Sequence, residues 1–163
     1  MTTFPVFVTG TSNNVAFSAL MSSANQVYLP NEVVQFDTPI VNWGRAFDVV
    51  SSKFTCPVAG IYEFRVQIHA VQYAPAQVAI DIDGAIVGEA FAADAMFEGT
   101  ASTSVVYPCA AGGTVKVIDY SREQSQILGQ EKSLFSGKLL EADEGTGLKI
   151  CCNLDHLNNT CYS

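Results

Sequence analysis

Catalysis by side chains needs a nucleophile within reach of a base, and a third group that orients the base. The 163-residue chain supplies few candidates, with two histidines in all. His69 shares the polar register of an alternating stretch with Glu63, Arg65 and Gln67, which places it on a surface, and His156 lies near the end of the chain. No Gly-x-Ser-x-Gly elbow, phosphate-binding loop or His-Glu-x-x-His pair occurs. Catalysis is therefore not expected, and the remaining polar chemistry is that of binding. Cys151, Cys152, His156 and Cys161 are zinc-ligand types, but adjacent cysteines miss the spacing that lets two thiolates reach one tetrahedral ion. A bridge from Cys161 to one of the vicinal pair, or to another chain, fits better in an oxidising compartment. Cys56 and Cys109 each sit beside a proline, and either a pair or two buried thiols is compatible with the sequence. Asn158-Asn159-Thr160 is a glycosylation sequon. Carboxylates gather at Asp81 and Asp83, at Asp94 and Glu98, and at Asp119 and Glu123, without the spacing of a full calcium loop. Their default state is a solvated surface.

The elements that must position these groups are strands. From Gly60 to Ile68 the chain alternates strictly, with Tyr62, Phe64, Val66 and Ile68 on one face and Glu63, Arg65 and Gln67 on the other. That period of two is a half-buried strand. Val78 to Ile82 alternates again, and Asp83-Gly84 suits a type I′ hairpin whose central residues both take positive φ. Ala85 to Phe91 is then the returning strand. Phe4 to Val8, Val15 to Leu20, Val33 to Phe36, Ala101 to Tyr107, Thr114 to Tyr120 and Leu134 to Leu140 complete the reading. Pro39 removes a ladder donor, so residues 37 to 45 are loop or edge. Residues 92 to 99 and the polar stretch Ser121 to Lys132 are connections. The pattern is all-β, about ten short strands with turns between, as in a β-sandwich or jelly roll. Residues 1 to 140 form one domain. Residues 141 to 163 lose the alternation and become Cys-rich, and are expected to be a mobile extension.

Hydrophobic residues make up 48% and charged ones 15%, with ten Phe and six Tyr, so large apolar areas must be buried, some of them between subunits. The net charge of −8 and the absence of any basic run argue against nucleic acid as a partner. No stretch reaches the roughly 18 apolar residues of a membrane helix, so membrane insertion is not expected. Met1 to Gly10 lacks the pattern of a signal peptide.

The aromatic spacing carries a resemblance. Phe36, Asn42, Phe47, Phe54, Gly60, Tyr62 and Phe64 fall at the intervals of the complement-1q globular-head domain family, with Val66 where an aromatic residue is usual. Phe135-Ser136-Gly137, followed by Leu139-Leu140, resembles the closing strand of that family. The resemblance implies a ten-stranded jelly roll similar to that of tumour necrosis factor, assembled as a homotrimer, with Phe36, Phe47, Phe54, Gly60, Tyr62, Phe64, Phe135 and Gly137 in the structural core. No Gly-X-Y repeat stands before the domain, so the likeness is to head-only members.

Such members imply an extracellular, non-catalytic pattern-recognition protein of innate immunity: a lectin for microbial or host-surface glycans, including sialylated ones. The alternative is a protein-protein module, either a cytokine-like receptor ligand or a matrix component. No cofactor is called for, and calcium is the ion the family would admit. In a jelly roll the loops around Tyr73, around Asp94 to Glu98 and over Ser121 to Glu131 share one end. Tyr73, Asp119, Tyr120, Arg122, Gln124 and Gln126 then supply the donors, acceptors and aromatic faces that sugar hydroxyls need. Arg122 or Arg65 is the fork for a sialic acid carboxylate.

Overall fold

The alternation from Gly60 onward builds one of the two longest strands among the described residues, and the strands of the large sheet assemble around it. The structure, a computed structural model, describes residues 14–93 and 96–143. In chain order its strands are β1 (Ala16–Leu20), β2 (Gln26–Tyr28), β3 (Thr38–Trp43), β4 (Phe47–Asp48), β5 (Lys53–Thr55) and β6 (Gly60–Ala70). They continue as β7 (Ala76–Ile82), β8 (Ala85–Ala92), β9 (Gly99–Cys109), β10 (Thr114–Asp119), β11 (Ser125–Ile127) and β12 (Leu134–Ala142). One sheet of seven strands runs β2-β11-β6-β12-β1-β3, with β9 on the other side of β6, and the second runs β4-β5-β10-β7-β8. All pairs are antiparallel, and no helix forms among the described residues. The two layers enclose one core, a jelly-roll sandwich as the sequence implies.

Tyr62, Phe64, Val66 and Ile68 are fully buried on the inner face of β6. Phe17 stacks on Phe47 at 4.6 Å and on Phe54 at 4.8 Å, and meets Phe135 edge-on at 4.9 Å. Phe36 lies 5.7 Å from Phe135, so the expected aromatic core residues form one cluster spanning both sheets. Val66 pairs with Phe135 across β6 and β12, which sets the largest side chain of β12 beside the smaller one on β6. Gly60 and Gly137 are both buried.

Asn42 has a backbone role. Its Nδ2 donates to the Phe47 carbonyl at 2.8 Å and its Oδ1 accepts from the Phe47 N–H at 3.2 Å. One amide thus closes the Gly44–Arg45 turn, where both residues take positive φ, and seats Phe47 in the core. A carboxylate could accept but not donate, which explains Asn at this place in the spacing.

The Asp83-Gly84 hairpin forms with φ of 50° and 90° at its central residues. β3 is an edge strand, and Pro39 pairs with Ala19 beyond the irregularity between Ser18 and Ala19. The sequence reading missed four short strands: β2, β4 and β5, and β11 within the stretch taken as a polar loop. They are two or three residues long, too short for a period to show. The last strand extends to Ala142, and the Asp143 N–H donates to the Ala59 carbonyl at 2.8 Å. Cys56 and Cys109 form a disulfide, resolving the choice that the sequence left open. The expected Phe4 to Val8 strand, the sequon, His156 and Cys151, Cys152 and Cys161 lie outside the described residues.

Candidate functional site

β6 starts beside Ala142 and ends at Ala70, where β9 begins, so the loops after β6 and before β9 meet at the end of the sandwich remote from Ala142. Gln72 Nε2 donates to the Met96 carbonyl, and Lys132 Nζ donates to Glu98 Oε2 at 3.1 Å. The loop between β10 and β11 joins the same end through Tyr120 N–H, which donates to the Gln77 carbonyl at 2.8 Å. The three loops therefore gather as the sequence implied. Between the loop after β6 and the loop between β10 and β11, over Gln77 of β7 and Phe91 of β8, lies an open groove of about 600 Å³, lined also by Tyr73, Pro75, Arg122, Glu123, Gln124 and Gln126.

Four of the expected binding residues, Tyr73, Arg122, Gln124 and Gln126, line this groove. Arg122 is exposed and takes part in no ion pair among the described residues, so its guanidinium fork is free for a ligand. Arg65 lies on the outer face of β6, in a shallow depression with Glu63 and Lys138, and is not part of the groove.

Asp119 corrects the expectation. It is fully buried, because β10 alternates and places it in the inward register of Val115 and Val117. Its Oδ1 accepts from the Ser121 N–H at 3.0 Å and from the Ser121 hydroxyl, while its Oδ2 has no hydrogen-bond partner among the described residues. Asp119 therefore cannot touch a ligand; it fixes the start of the Arg122 lip. Ser125 fixes the other end, its hydroxyl accepting from the Gln77 N–H at 3.1 Å. Tyr120 is partly exposed but does not line the groove, a second departure from the expected set.

Phe91 and Gln77 were not foreseen. They pair across β7 and β8 in the outward register, and Gln77 Nε2 donates to Glu89 Oε2 at 3.2 Å.

The carboxylates expected near the hairpin are engaged structurally. Asp81 Oδ1 accepts from the Gly84 N–H, and Asp83 Oδ1 accepts from both the N–H and the hydroxyl of Thr114. Asp94 lies outside the described residues. Among the described residues no group of three or more His, Cys, Asp or Glu side chains could hold a metal ion. No helix among them is long and apolar enough to cross a membrane.

Glu98 ties two of the loops. It accepts from Lys132 and meets His69 Nε2 at 2.9 Å, while His69 Nδ1 meets the Thr100 hydroxyl at 2.9 Å. The His69 hydrogen bond, then that of Lys132, holds the Glu98 carboxyl below its ordinary value of 4.5. A depressed carboxyl stabilises the fold above its unfolded pKa and loses that contribution as pH falls through the folded one. The clasp is thus expected to be intact at neutral pH and to open in acid below 4.5. The protection of the Phe97 and Glu98 amides against hydrogen exchange, relative to their intrinsic rates at each pH, should fall there in the native protein and do so less in Glu98→Gln; an equal fall in both would refute the assignment.

The family profile described as C1q domain matches residues 16–140. A segment of 55 residues, 34% of the chain, is 40% identical to a complement C1q subcomponent of Mus musculus and covers 21% of that protein. The chain thus matches about a fifth of the length of the curated relative. Among solved structures, the globular domain of zebrafish complement 1qA superposes with a TM-score of 0.66 at 16% identity, over 79% of this chain and 99% of that one. Eiger TNF from S. frugiperda superposes with a TM-score of 0.67 at 14% identity, over 80% and 95%. These likenesses establish the same jelly-roll fold.

Proposed function

The chain belongs to the C1q domain family, whose domain is an extracellular recognition and protein-interaction module, and on that premise we propose that it is a non-catalytic, glycan-binding recognition protein of innate immunity. The observation that carries this reading is the convergence of Tyr73, Arg122 and Gln126 on one groove whose arginine is unpaired. A sugar offers hydroxyls that need both donors and acceptors, which the Gln77, Gln124 and Gln126 amides provide, and an acidic sugar offers a carboxylate for the Arg122 fork. The buried disulfide Cys56–Cys109 fits an oxidising, extracellular setting.

A homotrimer is part of the same reading. Ile40 and Trp43 of β3 and Val106 of β9 are exposed apolar side chains on edge strands of the large sheet, and a self-interface would cover such surface. Sedimentation at micromolar concentration is expected to give a trimer, and a monomer would count against it.

Screening the protein on a glycan array, with and without chelator, tests the main reading. Binding to sialylated glycans is expected, competed by free sialic acid, and Arg122→Ala should weaken it about tenfold or more, the loss of a charge-assisted pair. Binding to a protein receptor that is insensitive to sugars would instead establish the alternative, a protein-protein module.

A further inference from the structure

Tyr73 stands in a backbone conformation that an aromatic residue seldom takes. Its φ is 60°, in a four-residue turn closed by the Ala74 N–H donating to the Val71 carbonyl at 3.3 Å. Glycine or asparagine is the usual occupant of such a position, because a Cβ there crowds the neighbouring carbonyl. The core does not account for the tyrosine: the residue is 63% exposed, and its hydroxyl takes no hydrogen bond among the described residues. Strain kept at an exposed ring is a pointer to function.

A second exposed ring lies beside it. Phe91 is 60% exposed, the outward-facing residue between the buried Ala90 and Ala92 of β8. Its outward placement follows from the irregularity between Ile80 and Asp81, after which β8 runs one residue out of the simple hairpin register, so that Phe91 faces Gln77 instead of Ala76. Both rings line the groove that also holds Arg122, Gln124 and Gln126. The groove therefore carries an aromatic part and an amide-rich part with one cation, Arg122, beside one carboxylate, Glu123, and its 600 Å³ lies within the range of sites that enclose ligands larger than a single ring.

Building on the glycan reading above, we infer that the groove takes an oligosaccharide with an acidic terminal sugar, in two subsites. Arg122, with the Gln124 and Gln126 amides, holds the terminal carboxylate and its hydroxyls. Tyr73 and Phe91 form a platform for the C–H face of the neighbouring uncharged hexose, apolar area that an aromatic pair desolvates well. The strained turn at Tyr73 is what aims its ring into the platform.

Calorimetric titration of free N-acetylneuraminic acid, of lactose and of 3′-sialyllactose into the full chain tests this. The trisaccharide is expected to bind at least tenfold more tightly than the monosaccharide. In Tyr73→Gly and in Phe91→Ala that advantage should fall below about threefold, whereas Tyr73→Phe should keep it. Tyr73→Gly should also melt no lower than the parent, because glycine accepts the positive φ; a purely structural tyrosine would predict a lower melting temperature, and observing one would overturn the assignment. Equal affinity for the monosaccharide and trisaccharide, with both variants at parental levels, would remove the two-subsite inference and leave the glycan reading standing. Absence of binding to all three sugars would remove both.

Discussion

Breaking the Cys56–Cys109 bridge should cost the domain about 4 kcal/mol. The two residues are 53 apart in sequence, and the entropy that closure of such a loop removes from the unfolded chain corresponds to about 4 kcal/mol near room temperature. The bridge also joins the layers: Cys56 follows β5 of the small sheet, and Cys109 ends β9 of the large one. Around it the Cys56 N–H donates to the Gly113 carbonyl and the Gly112 N–H to the Cys56 carbonyl, both at 2.8 Å, so the cross-link anchors a whole loop. For a chain of this size the loss should lower the melting temperature by roughly 8–16 °C. Circular-dichroism melts of the parent with and without reductant measure this. The double variant Cys56→Ala, Cys109→Ala separates this bridge from whatever Cys151, Cys152 and Cys161 form. An unchanged melting temperature in the double variant would show that the cross-link does not contribute.

That bridge marks where the sequence stops being legible. Local alternation exposed β6 and the Asp83-Gly84 hairpin, because a period of two and a pair of turn residues are local signals. The core was legible through the family resemblance, which the spacing of Phe36, Phe47, Phe54, Tyr62, Phe64 and Phe135 along the chain carries. The pairing of Cys56 with Cys109 needs both sheets in place, and two cysteines near strand ends do not announce it.

The site was readable by half for a related reason. Arg122 and Gln126 lie in a polar stretch that any loop reading selects. Asp119 ends the strand before that stretch, where β10 continues the alternation of Val115 and Val117, and a strand's register decides orientation more firmly than polarity does. The Ser121 hydroxyl and N–H then supply the bonds that let one carboxylate oxygen be buried. Phe91 fails in the opposite direction. A two-residue hairpin at Asp83-Gly84 with no irregularity would pair Phe91 with the inward-facing Ala76 and send the ring to the core. The single-residue shift beyond Ile80 turns it outward, and no property of residues 85 to 91 taken alone reports that shift.

Replacing Gly137 by alanine should destabilise the domain by about 3 kcal/mol, a large cost for one methyl group, because the position has no room on its inner side. A Cβ built there would stand 2.5 Å from Phe64 Cδ1 and 2.6 Å from Phe17 Cε1. Neither ring can withdraw freely. Phe17 is held between Phe47 at 4.6 Å and Phe54 at 4.8 Å, and Phe64 is stacked on Tyr62 at 5.8 Å with the edge of Phe54 at 5.6 Å. The alanine must therefore move the strand, and β12 is hydrogen-bonded between β1 and β6, so the displacement spreads to both. Denaturant titration measures the loss, and a second substitution identifies its cause. Phe17→Leu removes one of the two opposing rings; it is destabilising alone, but combined with Gly137→Ala it should cost about 1–2 kcal/mol less than the sum of the two. Strict additivity would mean that the clash with Phe17 is not what the glycine avoids. The same test separates packing from recognition: Gly137 lies under the aromatic core and outside the groove, so any change in sugar affinity in these variants should follow the folded fraction and nothing else.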